Sequence, residues 1–584
     1  MSIVVQETEK LATTVEDKLI AGSEAVLKCL LAEGTEIIFG YPGGAIMPIY
    51  DSLWFYNDRL QHILVRHEQG AIHAAQGYAR ASGRVGVVFA TSGPGATNLV
   101  TGLADAMIDS TPLVCITGQV FAHLLGTDAF QETDVINITT PITKWNHQVT
   151  DANEIPSVLA KAFYIAKTGR PGPVIIDITK NAQLQLCTYA PYEKCRHIRS
   201  YRPKPHVRRE YIEAAAALIN AAERPLVIFG QGVILGKAEK ELDTFLTKSG
   251  IPAAWTILGM SAIPTNHPNA VGMLGMHGNY GPNLLTNECD VLIAVGMRFD
   301  DRVTGRLDKY AKQAKVIHLD IDPSEIDKNV KTTVPIWGDC KETLPKLTSF
   351  IKEKTYATWK AKFDDCRKTE IDKVITAELN PIQEELTMGE VIKHLNEITS
   401  HNAIYVTDVG QHQMVTCRYA EYNFTRSNIT SGGLGTMGFA LPAAIGAKYG
   451  APERDVIAII GDGGIQMTIQ ELGTIMQFKP NIKIIILNNN FLGMVRQWQE
   501  LFHENRYSFV DITSPDYVQV AKGYHIPGAS VSNRAVLKSA LEKMMQHHGS
   551  YLLEIMVGKE NNVFPMVPQG KGVAEVVLCK EDLK

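Results

Sequence analysis

Short runs of β-branched and apolar residues recur along this chain, each followed by a longer stretch whose apolar positions fall at helical spacing. The first group of runs is Ile37–Phe39, Ile63–Val65, Val85–Phe89, Leu113–Thr117 and Val174–Asp177. The second is Leu226–Phe229, Val291–Val295 and Val316–Asp320, and the third Ile404–Thr407, Val456–Ile460, Ile482–Leu487 and Tyr551–Ile555. Unbroken apolar runs of this length suit strands covered on both faces, and their alternation with helices predicts parallel sheets. The fold class expected is α/β, with three doubly wound parallel-sheet domains at 22–190, 210–348 and 387–557. A basic, Pro-bearing linker fills 191–209, and a helical linker fills 349–386, broken at Asn380-Pro381. A tail or lid at 558–584, with Pro565, Pro568 and Gly570, reads as mobile, and Met1–Ile20 reads as a disordered lead-in to a helix near Ser23. The first and third groups share a plan, as would two related domains holding one cofactor between them.

Composition narrows the class. A chain of 584 residues exceeds any single core and splits into domains. Its net charge of -5 argues against nucleic acid as a partner. No apolar run reaches the ~20 residues of a membrane span. The 9 cysteines are scattered without a C-x-x-C pair, which predicts buried thiols in a reducing compartment. The acidic start, which lacks arginine, is neither a secretory signal nor a transit peptide, so a cytoplasmic location is expected.

The densest chemistry lies in the third group. Strand Asp455–Ile460 runs into Gly461-Asp462-Gly463-Gly464, with a helix expected from about Ile465, and strand Ile482–Leu487 ends in Asn488-Asn489-Asn490. Ligands of doubly wound sheets sit beyond the carboxyl ends of strands. Asp462 and Asn489 offer the hard oxygens Mg²⁺ prefers while it also holds phosphate. The glycines admit a diphosphate at a helix N-terminus. In the first group, Arg66-His67-Glu68-Gln69-Gly70 puts a carboxylate where a strand meets a helix. Gly230-Gln231-Gly232, with Gly236, is one residue off the dinucleotide fingerprint.

The paired G-D-G and N-N motifs resemble the signature of thiamine-diphosphate enzymes. FGYPGGAIMPIYD, RHEQG, TSGPGATN, GTDAFQE, TKWN, GRPGPV, GMLGMHG, RFDDRVTG, GQHQM, GGLGTMGFALPAAIGA and LGMVRQWQ extend the resemblance over about residues 22–570. Together they resemble the acetohydroxyacid (acetolactate) synthase catalytic subunits.

The resemblance implies thiamine diphosphate, Mg²⁺ and FAD as cofactors. Mg²⁺ would be held by Asp462, Asn489 and the carbonyl of Phe491. Glu68 would hold a proton at the aminopyrimidine ring nitrogen. Gly44 would present an N–H to developing oxyanion charge, and Gln131, counted with Glu68 and Gly44 as catalytic, would lie on the pyrimidine side. Tyr41, Pro42, Gly43, Pro94 and Asn98 would line the pyrimidine. Val409, Gly410, Gln411, His412, Gly435, Met437, Gly463, Gly464 and Met494 would hold the cofactor from the third domain. FAD would lie near Gly230, Gly232, Leu274, Gly275, His277, Gly296, Arg298, Asp300, Asp320, Ile321 and Asp339. Arg302, Asp301, Met276, Trp498 and Lys144 would form the substrate pocket.

The implied reaction decarboxylates pyruvate and joins the two-carbon fragment to pyruvate or 2-ketobutyrate, giving 2-acetolactate or 2-aceto-2-hydroxybutyrate. The implied partners are 2-keto acids, further copies in a homodimer or homotetramer, and a separate regulatory small subunit. Two positions depart from the pattern: Phe121 stands where proline is usual, and GDGG replaces GDGS. A flavin-using pyruvate oxidase of the same fold is the rival reading. Glyoxylate carboligase is disfavoured because it lacks a glutamate where Glu68 stands. Intact Glu68, Asp462 and Asn489 argue against an inactive scaffold.

Overall fold

The computed structural model describes residues 18–190 and 192–583. Residues 1–17 of the expected lead-in lie outside the described residues. Three sheets of six parallel strands carry the fold. In the first, β2 (Ile37–Gly40), β3 (Gln61–Leu64), β4 (Gly86–Ala90), β5 (Leu113–Gln119), β6 (Trp145–Val149) and β7 (Pro173–Thr179) take the order 3-2-4-5-7-6. A short antiparallel pair, β1 (Lys18–Ala21) with β8 (Leu186–Tyr189), ties the start of this domain to its end. In the second sheet, β9 (Pro225–Phe229), β10 (Ala253–Trp255), β11 (Ala270–Met273), β12 (Val291–Val295), β13 (Lys315–Asp320) and β14 (Val334–Trp337) take the order 11-10-9-12-13-14. In the third, β15 (Ile404–Thr407), β16 (Asn428–Thr430), β17 (Val456–Gly461), β18 (Lys483–Asn488), β19 (Gly528–Val531) and β20 (Tyr551–Met556) take the order 16-15-17-18-20-19.

The central strands are buried along their whole length, as their apolar runs require. Helices cover both faces, and the long connections between parallel neighbours are made by them. The linker helix ends at Leu379, just before Asn380-Pro381.

The first and third domains meet through helices Glu68–Ser82 and Ala440–Gly450. Two glycines allow that approach. A Cβ on Gly77 would strike the backbone of Ala443, and one on Gly446 the carbonyl of Ala74. Arg80 pairs with Asp109 of its own domain at 2.8 Å and donates across the boundary to the Thr430 carbonyl, while the Asp109 carboxylate accepts from the N–H groups of Gly432 and Gly433. The glycine loop of the third domain is thereby held by the first.

Three expectations change. The last residues of the expected disordered lead-in, 18–20, belong to a strand, because they pair with the end of the same domain. The helix after the G-D-G turn begins at Asp462 and not near Ile465, so the aspartate is its first residue. The tail packs on the central domain. Val567 N–H donates to the Met276 carbonyl at 2.7 Å, Gly572 bridges to Gly305, and Met566 and Val573 are buried.

Candidate active site

Three helix starts converge beyond the carboxyl ends of β15, β17 and β18. The helices are Gln411–Tyr419, Asp462–Met467 and Gly493–Phe502. Their closeness shows in the glycines. A Cβ on Gly461 would meet the His412 ring, and one on Gly493 would collide with Gln411 and Asn489. Unpaired N–H groups and the positive ends of helix dipoles gathered at one point form an anion site.

Asp462 is buried, and burial pushes its carboxyl up to about 6. Ser514 Oγ donates to its side chain at 3.4 Å, and the backbone N–H groups of Asp462, Gly463 and Asn489 also face it. Asn489 Oδ1 accepts from Phe491 N–H at 3.2 Å. His412 is fully enclosed and held neutral by burial, at about 4, with Nε2 unpartnered. A buried carboxylate and an amide oxygen brought together at these helix starts suit a cation that takes other ligands from phosphate. No group of three or more His, Cys, Asp or Glu side chains able to hold a metal occurs among the described residues.

A cavity of about 980 Å³ runs from the neighbouring Val409-Gly410 turn into the central domain, and Gln411, His412, Asp462, Gly463, Gly464 and Asn489 do not line it. That volume is at the upper end of ligand pockets, roughly 300–1,000 Å³, and leaves room for a dinucleotide with a small substrate. Val409, Gly410, Gly435, Met437, Met494 and Trp498 line one end. Gly232, Leu274, Gly275, His277, Gly296, Arg298, Asp300, Asp320, Ile321 and Asp339 line the other. Met276, Asp301 and Arg302 lie between. Helix Gly493–Phe502 presents Met494 and Trp498 one turn apart, so both reach the cavity.

The Arg302 side chain is 63% exposed, with Nε 3.8 Å from Asp301 Oδ2 in a solvent-facing pair and Nη1 donating to Met276 Sδ at 3.6 Å, so an anionic ligand would compete with an exposed and weak partner. In the central domain, burial pushes Asp320 up to about 7. Asp300 and Asp339 cap helices through their carboxylates. Gly232 and Gly296 owe their identity to close backbone approach, and the Gly232 N–H is already given to the Gly296 carbonyl. Gly230 stands behind the wall and does not line the cavity.

The first-domain residues gather separately. Glu68 opens helix Glu68–Ser82 behind the N-cap His67 and is buried. Asn98 Nδ2 donates to Glu68 Oε2 at 2.9 Å. A Cβ on Gly95, beside Pro94, would lie 3.3 Å from Glu68 Oε1. Tyr41 is 41% exposed, and a Cβ on Gly44 would meet nothing within 4 Å. Gln131 holds φ 60, a conformation uncommon for a non-glycine and concentrated at working sites. None of Tyr41, Pro42, Gly43, Gly44, Glu68, Pro94, Asn98 or Gln131 lines the 980 Å³ cavity of their own chain.

Lys144 is a correction. It precedes β6, at the amino ends of the strands, away from the ligand edge. Its Nζ donates to the carbonyls of Ile165 and Thr168 and to Tyr201 Oη, and burial lowers it to about 7. The ammonium closes a helix end and has no donor left for a substrate. Lys144→Met is expected to cost about 2 kcal/mol by orphaning those oxygens. It should leave the keto-acid KM unchanged, checked by urea unfolding beside steady-state kinetics.

Sequence reasoning also passed over residues of the cavity. Gln413 donates to Thr430 Oγ1 and the Ser431 carbonyl, and Gln569 enters the wall from the tail. Arg170 pairs with Asp322 and Glu325 at the far end. GRPGPV flagged Arg170 as a motif member without a role, and nothing near Gln569 marks it.

A diphosphate-type site in the third sheet domain, a separate carboxylate half-site in the first and a further sheet domain between them in sequence are the parts of a thiamine pyrophosphate enzyme. Family models for its N-terminal TPP binding domain, central domain and C-terminal TPP binding domain match residues 20–138, 212–347 and 408–555. More narrowly, the chain belongs to the acetolactate synthase large-subunit family. It is 44% identical to the probable acetolactate synthase large subunit of Methanocaldococcus jannaschii, over 95% of each chain. It is 42% identical to the acetolactate synthase isozyme 2 large subunit of Escherichia coli, over 95% of this chain and 99% of that one. The acetolactate synthase large subunit of Lactococcus lactis is 42% identical over 96% of each.

Proposed function

We propose that this chain is the catalytic subunit of an acetohydroxyacid synthase, acting in the first common step of branched-chain amino-acid synthesis. It takes pyruvate as donor and pyruvate or 2-ketobutyrate as acceptor. Mg²⁺ is assigned to Asp462, Asn489 and the Phe491 carbonyl, and FAD to the central-domain end of the cavity. The working form is a cytoplasmic homodimer or homotetramer, served by a separate regulatory small subunit. The observation that carries this reading is the single cavity shared by Arg302, Met276, Met494, Trp498, Gly410 and Met437.

Thiamine diphosphate, when bound, supplies a nucleophilic carbon and an electron sink. The chain supplies placement and protons. Glu68 holds a proton at the aminopyrimidine ring nitrogen, with Asn98 fixing its other oxygen. Arg302 pairs with the carboxylate of the acceptor. Gly44 N–H faces developing oxyanion charge. Met437 and Met494 give apolar walls that exclude water. The flavin is retained for structure.

Incubation with pyruvate, Mg²⁺, thiamine diphosphate and FAD should give acetolactate equally with and without oxygen. Oxygen uptake with acetate or acetyl phosphate as product would make the chain a pyruvate oxidase.

Acceptor choice tests the pocket further. Pyruvate and 2-ketobutyrate differ by one methylene, worth about 1–3 kcal/mol in discrimination. Trp498 lines the cavity, its ring centroid 5.0 Å from that of Phe502. Trp498→Leu is expected to lose most of a preference for 2-ketobutyrate while still making acetolactate. With both acids present, an unchanged ratio of acetohydroxybutyrate to acetolactate would remove Trp498 from acceptor selection.

A further inference from the structure

Two glutamines stand between the Asn489 side chain and the backbone at the start of the tail. Gln497 is fully buried on helix Gly493–Phe502 and does not line the cavity, unlike its neighbour Trp498. Its amide is gripped from both sides by one residue. Val563 N–H donates to Gln497 Oε1 at 2.8 Å, and Gln497 Nε2 donates to the Val563 carbonyl at 3.2 Å. Gln411 Nε2 then donates to Gln497 Oε1 at 2.9 Å and to the Asn561 carbonyl at 2.8 Å. Gln411 Oε1 accepts from Asn489 Nδ2 at 3.3 Å.

The direction of each bond follows from groups that cannot reverse. A backbone N–H only donates and a carbonyl only accepts, whereas a side-chain amide can turn over and exchange the two roles. Val563 offers one of each, so the Gln497 amide has one favourable orientation. The Asn561 carbonyl and Gln497 Oε1 are both acceptors, so Gln411 must turn its NH₂ toward them. Its oxygen is left facing Asn489, which must answer with its own NH₂. Asn489 Oδ1 is thereby kept on the other side, where it accepts from Phe491 N–H. Helix Gly493–Phe502 begins with glycine because a Cβ there would strike both Gln411 Oε1 and Asn489 Nδ2.

We propose that Gln497 is a positioning residue for the metal: through Gln411 it transmits the polarity of the Val563 and Asn561 backbone to Asn489 and fixes the amide oxygen of Asn489 toward the cation. The inference rests on the metal assignment proposed above. It also makes the tail part of the metal site, because residues 561–563 set the orientation of a ligand they do not touch.

The test reads metal binding and not turnover. Mn²⁺ replaces Mg²⁺ as the probe, and its binding to the full chain with thiamine diphosphate and FAD is titrated by electron paramagnetic resonance. Gln497→Met keeps the shape and removes the polarity. Mn²⁺ affinity is expected to fall at least ~10-fold, the scale of residues that orient metal ligands. Gln497→Glu keeps the oxygen that meets Val563 N–H and Gln411 Nε2, and should stay within about threefold of wild type, well above Gln497→Met. Gly493→Ala, which forces Gln411 and Asn489 apart, should lose affinity like Gln497→Met. Folding of each variant is followed by circular dichroism. Should one of Gln497→Met and Gly493→Ala fail to fold, the other carries the test. Wild-type affinity in either folded variant, or equal losses in Gln497→Met and Gln497→Glu, overturns the relay. A wild-type chain that binds no Mn²⁺ with thiamine diphosphate overturns the metal assignment itself.

Discussion

Glu68→Gln lowers turnover at least ~100-fold, the scale of a lost acid–base group, while the protein folds and still binds its cofactors. The expectation comes from the geometry around this carboxyl. Asn98 Nδ2 holds Glu68 Oε2 at 2.9 Å, so Oε1 is the oxygen left for the cofactor ring. In the variant, the amide oxygen takes the place of Oε2 against Asn98, and the NH₂ falls where Oε1 stood. That group can still donate a hydrogen bond to a ring nitrogen, so binding and shape survive. It cannot give up and recover a proton, so the ring loses the acid it needs. Position 68 is the first residue of a helix, where a carboxylate is favoured by the dipole, so the loss of charge costs only about 0.3–1 kcal/mol of stability. The measurement is exchange of the thiazolium C2 proton, followed by NMR in D₂O with thiamine diphosphate and Mg²⁺. Near-normal exchange in Glu68→Gln would take the proton-holding role away from this residue.

The residues that could be read from the sequence are those whose meaning is local. Val88, Ile116, Ile176, Ala458 and Ile485 sit in unbroken apolar runs because their strands are covered on both faces. The strands that escaped notice are mostly at sheet edges: Trp145–Val149, Ala270–Met273, Val334–Trp337, Asn428–Thr430 and Gly528–Val531. An edge strand meets water along one side, so Trp145-Asn146-His147-Gln148 carries polar residues without an apolar run. Ala253–Trp255 is interior but only three residues long. At the site, Asp462 and Asn489 were legible because each closes a strand within a contiguous motif. Gln497 lies in LGMVRQWQ beside the tryptophan that drew attention, yet its role depends on Val563, Asn561 and Gln411, brought to it by folding. Lys144 fails in the opposite way. TKWN is a recognisable block, but the lysine sits before its strand, at the end of the sheet where ligands are not held.

Two inactive chains, Glu68→Gln and Asp462→Ala, regain activity when mixed, to as much as about a quarter of wild type, the share of intact sites in a random population of symmetric dimers. The reason is that each chain carries two half-sites that do not share a cavity. Glu68, Asn98 and the open Gly44 lie in the first domain, beside side chains that a monomer has no cause to expose: Trp54 at 75%, Phe55 at 73% and Phe130 at 89%. Asp462, Asn489 and Met437 lie in the third, near Leu434 at 45%, Met467 at 53% and Phe509 at 99% exposed. Large apolar side chains clustered around an incomplete site mark a surface that another molecule covers. The homodimer proposed above would complete both halves at once if its two-fold axis set the first domain of each chain against the third domain of the other. In a hybrid dimer, one site then carries both substitutions and the other carries neither. Asp462→Ala alone should be inactive, because it removes the only carboxylate assigned to the cation. The mixture is prepared by partial unfolding and refolding together, hybrids are counted by native mass spectrometry, and acetolactate is assayed. Activity that stays at the level of the separate variants, with hybrids present, would mean that Glu68 and Asp462 serve the same site from one chain.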